Sequence, residues 1–122
     1  MNVLLCEDDK GIQELITLLL ENEGYKVATS TNSRDASELI HSLIYNLIII
    51  DYWLEDGMAD GLIGKIRKEL PSIPIILISA AGNLEELSIK LRVNDYLQKP
   101  FDIITLQSKV NQLIHDNHNR SN

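Results

Sequence analysis

Apolar residues follow two rhythms along this chain. Unbroken runs, Val3-Leu4-Leu5-Cys6, Leu47-Ile48-Ile49-Ile50 and Ile75-Ile76-Leu77-Ile78, read as short strands buried on both faces. Between them apolar residues recur at three- and four-residue spacing, the mark of amphipathic helices. Ile12, Leu15, Ile16 and Leu19 form the first such stripe, with Gly24 as its stop. Residues 25–29 then predict a second strand. Ala36, Leu39, Ile40 and Leu43 mark a second helix, capped by Ser33 or Asn32. Leu62, Ile63 and Ile66 mark a third helix, opened by Asp60 and stopped by Pro71. Leu84, Leu87 and Leu91 predict a short fourth helix, followed by a weak strand at Tyr96-Leu97. Asp102 caps the last helix, which buries Ile103, Leu106, Val110, Leu113 and Ile114. The expected domain covers residues 1–116, and residues 117–122 are read as a polar tail.

Five strand–helix repeats in succession imply an α/β protein: a parallel sheet with right-handed crossovers and helices on both faces. At this size the expected form is a flavodoxin-like (βα)5 doubly wound sandwich, with five parallel strands in the order 2-1-3-4-5. That order makes the first and third strands neighbours, with the switch point between them. Both strands run into carboxylates, Glu7-Asp8-Asp9 and Asp51. Ligands bind such sheets at the carboxyl ends of the strands. Aspartate is also an ordinary strand-ending turn residue, and the topology is what raises Asp51 above that reading.

Composition narrows the function. The 122 residues carry 18 acids against 11 bases, a net charge of −7. That balance opposes nucleic-acid binding, which needs a basic face. A single cysteine, Cys6, excludes an internal disulfide and suits a reducing compartment. The early acids are not those of a secretory leader, and no stretch approaches the length of a membrane span. A cytoplasmic domain is the expectation.

Glu7, Asp8 and Asp51 together would make a carboxylate cluster whose mutual repulsion a cation relieves. An all-oxygen set on a compact site suits Mg2+. Asp9 serves equally well as a cap of the first helix. Lys99, at the end of the fifth strand, offers an ammonium for a phosphoryl oxygen. Ser79, at the end of the fourth, offers a hydroxyl. In isolation each is also an ordinary surface or turn residue.

Acids after the first strand, an aspartate ending the third, Ser79 ending the fourth and Lys99-Pro100 after the fifth occur in one order. Together they resemble the receiver domain of bacterial two-component response regulators, over essentially the whole chain. The resemblance implies that Asp51 is the phosphoacceptor. It implies that Asp8 holds Mg2+ directly and Glu7 through water, with the backbone carbonyl of Trp53 as a further ligand. Three consecutive acids leave that register open; Glu7 and Asp8 are preferred because they directly follow the strand. Ser79 and Lys99 would contact the phosphoryl group, the Lys99-Pro100 bond would be cis, and Tyr96 would turn inward on activation. The partner would be a histidine kinase or a histidine phosphotransfer protein. The face from the fourth strand to the fifth helix would carry the switch, and a homodimer contact would use the fourth helix, fifth strand and fifth helix. Such a protein is not a turnover enzyme; it catalyses its own phosphorylation and dephosphorylation.

Three other functions compete. An aspartyl phosphatase needs a second acid two residues after its nucleophile, where this chain has Trp53. A flavin module needs a hydroxyl-rich phosphate loop where this chain has Glu7-Asp8-Asp9. A degenerate receiver would act as an unphosphorylated docking module, although the acid, serine and lysine set is complete. The chain departs from the common receiver pattern after Asp51, where residues 55–61 make a longer loop with no proline. It departs again in the short segment from Ser79 to Lys99, whose helix lacks a glycine near its end. Trp53 is expected to shield an acyl phosphate from water. His41, His115 and His118 are read as surface residues, and Cys6 as a core residue.

Overall fold

The computed structural model describes residues 1–120. Five strands form the parallel sheet: β1 (Asn2–Cys6), β2 (Lys26–Ser30), β3 (Leu47–Asp51), β6 (Ile75–Ser79) and β7 (Asp95–Gln98). Their order is β2-β1-β3-β6-β7. Between β3 and the third helix lies a small antiparallel hairpin, β4 (Trp53–Leu54) and β5 (Gly57–Met58), apart from the sheet. The five sheet strands, counted alone, run 2-1-3-4-5, and the fold is the expected flavodoxin-like α/β sandwich. The helices are α1 (Lys10–Asn22), α2 (Ser33–Leu39), α3 (Asp60–Glu69), α4 (Leu84–Leu91) and α5 (Ile103–Arg120).

The unbroken apolar runs divide between two cores, as strand alternation requires. Val3, Leu5, Leu47, Ile49, Ile76 and Ile78 face one side, where Ile16 and Leu20 of α1 and Leu106, Val110 and Ile114 of α5 cover them. Leu4, Cys6, Ile48, Ile50, Ile75 and Leu77 face the other, under Ala36 of α2, Leu62, Ile63 and Ile66 of α3, and Leu84 of α4. Every residue of β3 is buried, Asp51 included.

Several local expectations are corrected. In α1 the buried stripe is Ile16 and Leu20 with Ile12 beside them, while Leu15 is exposed. Three leucines in succession, Leu18 to Leu20, span too much of the helix surface for periodicity to choose one. Leu43 lies beyond the end of α2 and is exposed. Asp60 does not cap α3; Ala59 holds that position, and Asp60 accepts a hydrogen bond from Tyr52 Oη at 2.6 Å. That acceptor pushes the Tyr52 phenol up to about 12. Helix α5 continues past the predicted boundary at residue 116, since no Gly or Pro interrupts it before Arg120. Residues 121 and 122 of the predicted tail lie outside the described residues.

The short α4 has an unusual stop. Arg92 takes the left-handed conformation, φ 59° and ψ 42°, that glycine more often supplies. The strain is compensated from α3. Arg67 donates to Arg92 O at 2.7 Å, Ile73 O at 2.7 Å and Asn94 Oδ1 at 2.8 Å. Asn94 Oδ1 also receives Ile75 N–H at 2.9 Å, so one guanidinium ties the α4 end to the start of β6. Arg67→Met should cost about 2 kcal/mol, the worth of a charged donor lost from such acceptors. A lowered urea midpoint with an unchanged slope is the expected result.

Candidate functional site

Parallel pairing of β1, β3 and β6 in register brings their carboxyl ends to one edge. Cys6 sits opposite Ile50, and Asp51 opposite Ile78. Glu7, Asp8, Asp51 and Ser79 therefore emerge together, and Lys99 joins them from the end of β7 through its backbone N–H to Ser79 O, 2.9 Å. Glu7, Asp8 and Asp51 each offer an oxygen, and these atoms lie within 4.8 Å of one another. Glu7 is 1% exposed and Asp51 5%, while Asp8 lies open to solvent. The cluster is thus a buried acid pair with its third member at the mouth.

Lys99 is the counter-charge. Its Nζ stands 2.5 Å from Asp51 Oδ2 and 3.0 Å from Glu7 Oε1. Burial alone would lower the Lys99 ammonium, but the Asp51 and Glu7 carboxylates outweigh it and hold it above its ordinary value. Burial, and next the Asp51 carboxylate, push Glu7 up to about 7. Glu7 Oε1 has the ion pair but no well-formed hydrogen bond. One ammonium among three carboxylates leaves an excess of negative charge. A hard divalent cation fits such a donor set: few carboxylates, one open side and room for retained waters.

Other contacts fix the carboxylates. Asp51 Oδ1 accepts Trp53 N–H at 3.0 Å. Glu7 Oε2 accepts Asp9 N–H at 3.2 Å, and Gln13 Nε2 donates to the Glu7 carbonyl at 3.1 Å. Asp9 caps α1, its Oδ1 accepting Ile12 N–H at 3.0 Å. Ser79 is buried and its Oγ accepts Ala81 N–H at 3.2 Å. The Lys99–Pro100 peptide bond is cis. Tyr96 is half-buried against the core cluster that holds Leu77 and Leu84, so it does not share the cluster of acids. Trp53 lies at the mouth, 55% exposed.

The hairpin stands where a long loop is expected, although Asp56-Gly57 between Leu54 and Met58 is a hairpin signal. Its tip is held from the side. Asp56 accepts Ser33 N–H at 2.8 Å and Arg34 N–H at 3.1 Å, the first free donors of α2. Those amides, Ser33 first, hold the Asp56 carboxyl below its ordinary value. Glu55 N–H donates to Thr31 O at 3.1 Å, and Gly57 supplies the positive φ of 114° that closes the turn.

The family model described as "Response regulator receiver domain" matches residues 3–111. The chain belongs to the response regulator receiver family. This receiver is 36% identical over 124 aligned residues to the transcriptional regulatory protein PmrA of Pectobacterium parmentieri. The match takes in all of this chain and 56% of PmrA, so the receiver spans about half the length of that relative. The receiver domain of the Francisella response regulator 1452 superposes with a TM-score of 0.86 at 30% identity, covering 94% of this chain and 97% of that one. A CheY-like receiver domain from Methanospirillum hungatei has a TM-score of 0.90 at 24% identity, covering 98% and 97%, and shares the fold. The chain is thus the receiver part of a two-component system. Among its described residues no helix is long and apolar enough to cross a membrane.

Proposed function

We propose that this receiver accepts a phosphoryl group on Asp51 from a phosphohistidine of a histidine kinase or histidine phosphotransfer protein. The observation that carries the reading is the Asp51 carboxylate, buried at a strand end and held between an ammonium and a backbone amide. An Asp51 oxygen attacks phosphorus, an O–P bond forms, and the N–P bond to the imidazole breaks. The nucleophile is fixed before the donor arrives, because Trp53 N–H orients Oδ1 and Lys99 orients Oδ2. Lys99 then has a second task, taking the negative charge of the incoming phosphoryl oxygens as its bond to Asp51 loosens. Ser79 Oγ, which already accepts one hydrogen bond, donates its own proton toward the same oxygens.

Asp8, Asp51 and the Trp53 carbonyl would hold Mg2+, with Glu7 acting through water. When bound, the ion supplies charge neutralisation for phosphoryl transfer. Trp53 is the sole tryptophan and lies beside this site, so its fluorescence reports on it. Titration with Mg2+ should change the wild-type signal, and Asp8→Asn should weaken the apparent affinity by about tenfold or more, the loss of a charged ligand.

Ser79 and Tyr96 extend from neighbouring strands, with Leu77 opposite Tyr96 and Ser79 two residues on, on the same sheet face as Leu77. That placement supports a switch in which Ser79 moves toward the phosphoryl group and Tyr96 turns into the space behind it, a population shift between two packings. Ile89, exposed on α4, favours the α4–β7–α5 face as the output and homodimer surface. The protein acts as a phosphoacceptor rather than by turnover of a substrate. Mass spectrometry after incubation with acetyl phosphate and Mg2+ tests the reading. One added phosphoryl group, absent with EDTA, is expected; its absence from wild type would favour an unphosphorylated docking module.

A further inference from the structure

The β4–β5 hairpin combines two properties that ordinarily exclude each other. It is held firmly, yet it leaves its apolar pair in water. Two-stranded hairpins are marginal alone. This one is fastened by Asp56 to the α2 amides, by Glu55 to Thr31 and by Ala59 N–H to Tyr52 O at 2.8 Å. Leu54 provides the inward anchor, 5% exposed. Trp53 and Met58 are register partners on the hairpin, and each is 55% exposed. Trp53 packs edge-on against Tyr52 at 5.8 Å, and Tyr52 Oη contacts Met58 Sδ at 3.4 Å, so the pair is braced from beneath.

From this geometry we infer that Trp53 and Met58 form the docking anchor for the phosphohistidine-bearing protein that serves Asp51. The inference rests on the phosphoacceptor reading and deepens it. Trp53 carries the amide bonded to Asp51, so its exposed side chain stands next to the carboxylate that a macromolecular donor must approach. A small phosphodonor need not cover it. Trp is a residue type that concentrates binding energy when a partner buries it, and the flexible Met beside it adapts to the partner's surface. Holding the hairpin in place beforehand removes the ordering cost from binding. Charge specifies the partner further. Exposed Glu55 and Asp56 form the turn of the same hairpin and exposed Asp8 lies beside Asp51, while Arg34 and Lys65 line the groove on the Met58 side, on a chain of net charge −7. The matching surface is an apolar spot with Lys and Arg facing the turn and Asp8, next to the phosphohistidine.

The test compares two donors. The cytoplasmic portion of each histidine kinase encoded in the source genome is autophosphorylated with ATP. The one that labels wild type fastest is kept, and acetyl phosphate is the second donor. Met58→Ser alters none of the groups assigned to the chemistry, so it should leave acetyl phosphate labelling unchanged and slow transfer from the kinase by about tenfold. The change should lie in the half-saturating kinase concentration, and added salt should raise that concentration for wild type. Trp53→Ala should lower the kinase-to-acetyl-phosphate rate ratio further, and Trp53→Phe should restore part of it. Kinase transfer unaltered in Met58→Ser, or an unaltered ratio in Trp53→Ala, would overturn the anchor. So would labelling by acetyl phosphate with transfer from none of the kinases. Failure of acetyl phosphate to label wild type would instead remove the phosphoacceptor reading beneath it.

Discussion

Asp51→Asn is expected to abolish phosphoryl labelling by acetyl phosphate while leaving the fold at least as stable as wild type. The two halves have one cause. Asp51 and Glu7 are both buried and share a single ammonium, Lys99. An asparagine keeps the acceptor for Trp53 N–H but removes one of two like charges, and Lys99 still has Glu7 at 3.0 Å. The pocket then holds a balanced pair, so its electrostatic cost falls rather than rises. A thermal midpoint equal to or above that of wild type, with no added phosphoryl group by mass spectrometry, would separate a chemical role from a structural one. A large loss of stability would mean that Asp51 serves chiefly to hold the pocket together. Residual labelling of the variant would move the acceptor elsewhere, to Asp8 first.

That pocket was legible because the strands write it plainly. A strand buried on both faces is apolar throughout, as the β-branched-rich run Leu47-Ile48-Ile49-Ile50 is, and the carboxylate after it marks the edge of the sheet. Alternation then assigns each residue to a core, with Ile48 and Ile50 under α2, α3 and α4, and Leu47 and Ile49 under α1 and α5. Helix faces were less legible. Leu15 and Leu20 are equally apolar, and only the sheet beneath decides that Leu20 is buried.

The long loop was the least legible part, for a physical reason. Its structure comes from partners distant in sequence: Asp56 binds α2 amides more than twenty residues earlier, and Tyr52 claims the Asp60 carboxylate that local rules would make a cap. The lack of glycine after α4 had a similar outcome. Arg92 takes the left-handed turn itself, and Arg67 from another helix holds its carbonyl. Local propensity predicts which residues ease a turn, but tertiary hydrogen bonds decide whether a poor one is tolerated.

Lys99→Met should produce two changes of opposite sign. Phosphorylation by acetyl phosphate should slow by about 10²–10³-fold, the usual consequence of removing one preorganised donor from a developing charge. Mg2+ affinity, followed through Trp53 fluorescence, should rise by about tenfold, because a positive charge close to the acid cluster has gone. Methionine keeps the length of the stem, so packing against β7 and the backbone bond from Lys99 N–H to Ser79 O are retained. The opposition of signs is what identifies the role. If Lys99 mainly positioned the carboxylates, its loss would scatter them, and both affinity and rate would fall together. If it acts as a charge directed at the phosphoryl group, the site gains cation binding while losing transfer. A Lys99→Met protein that bound Mg2+ more weakly than wild type would therefore reassign Lys99 from the chemistry to the scaffold, leaving Asp51 and the metal donors as the minimal site.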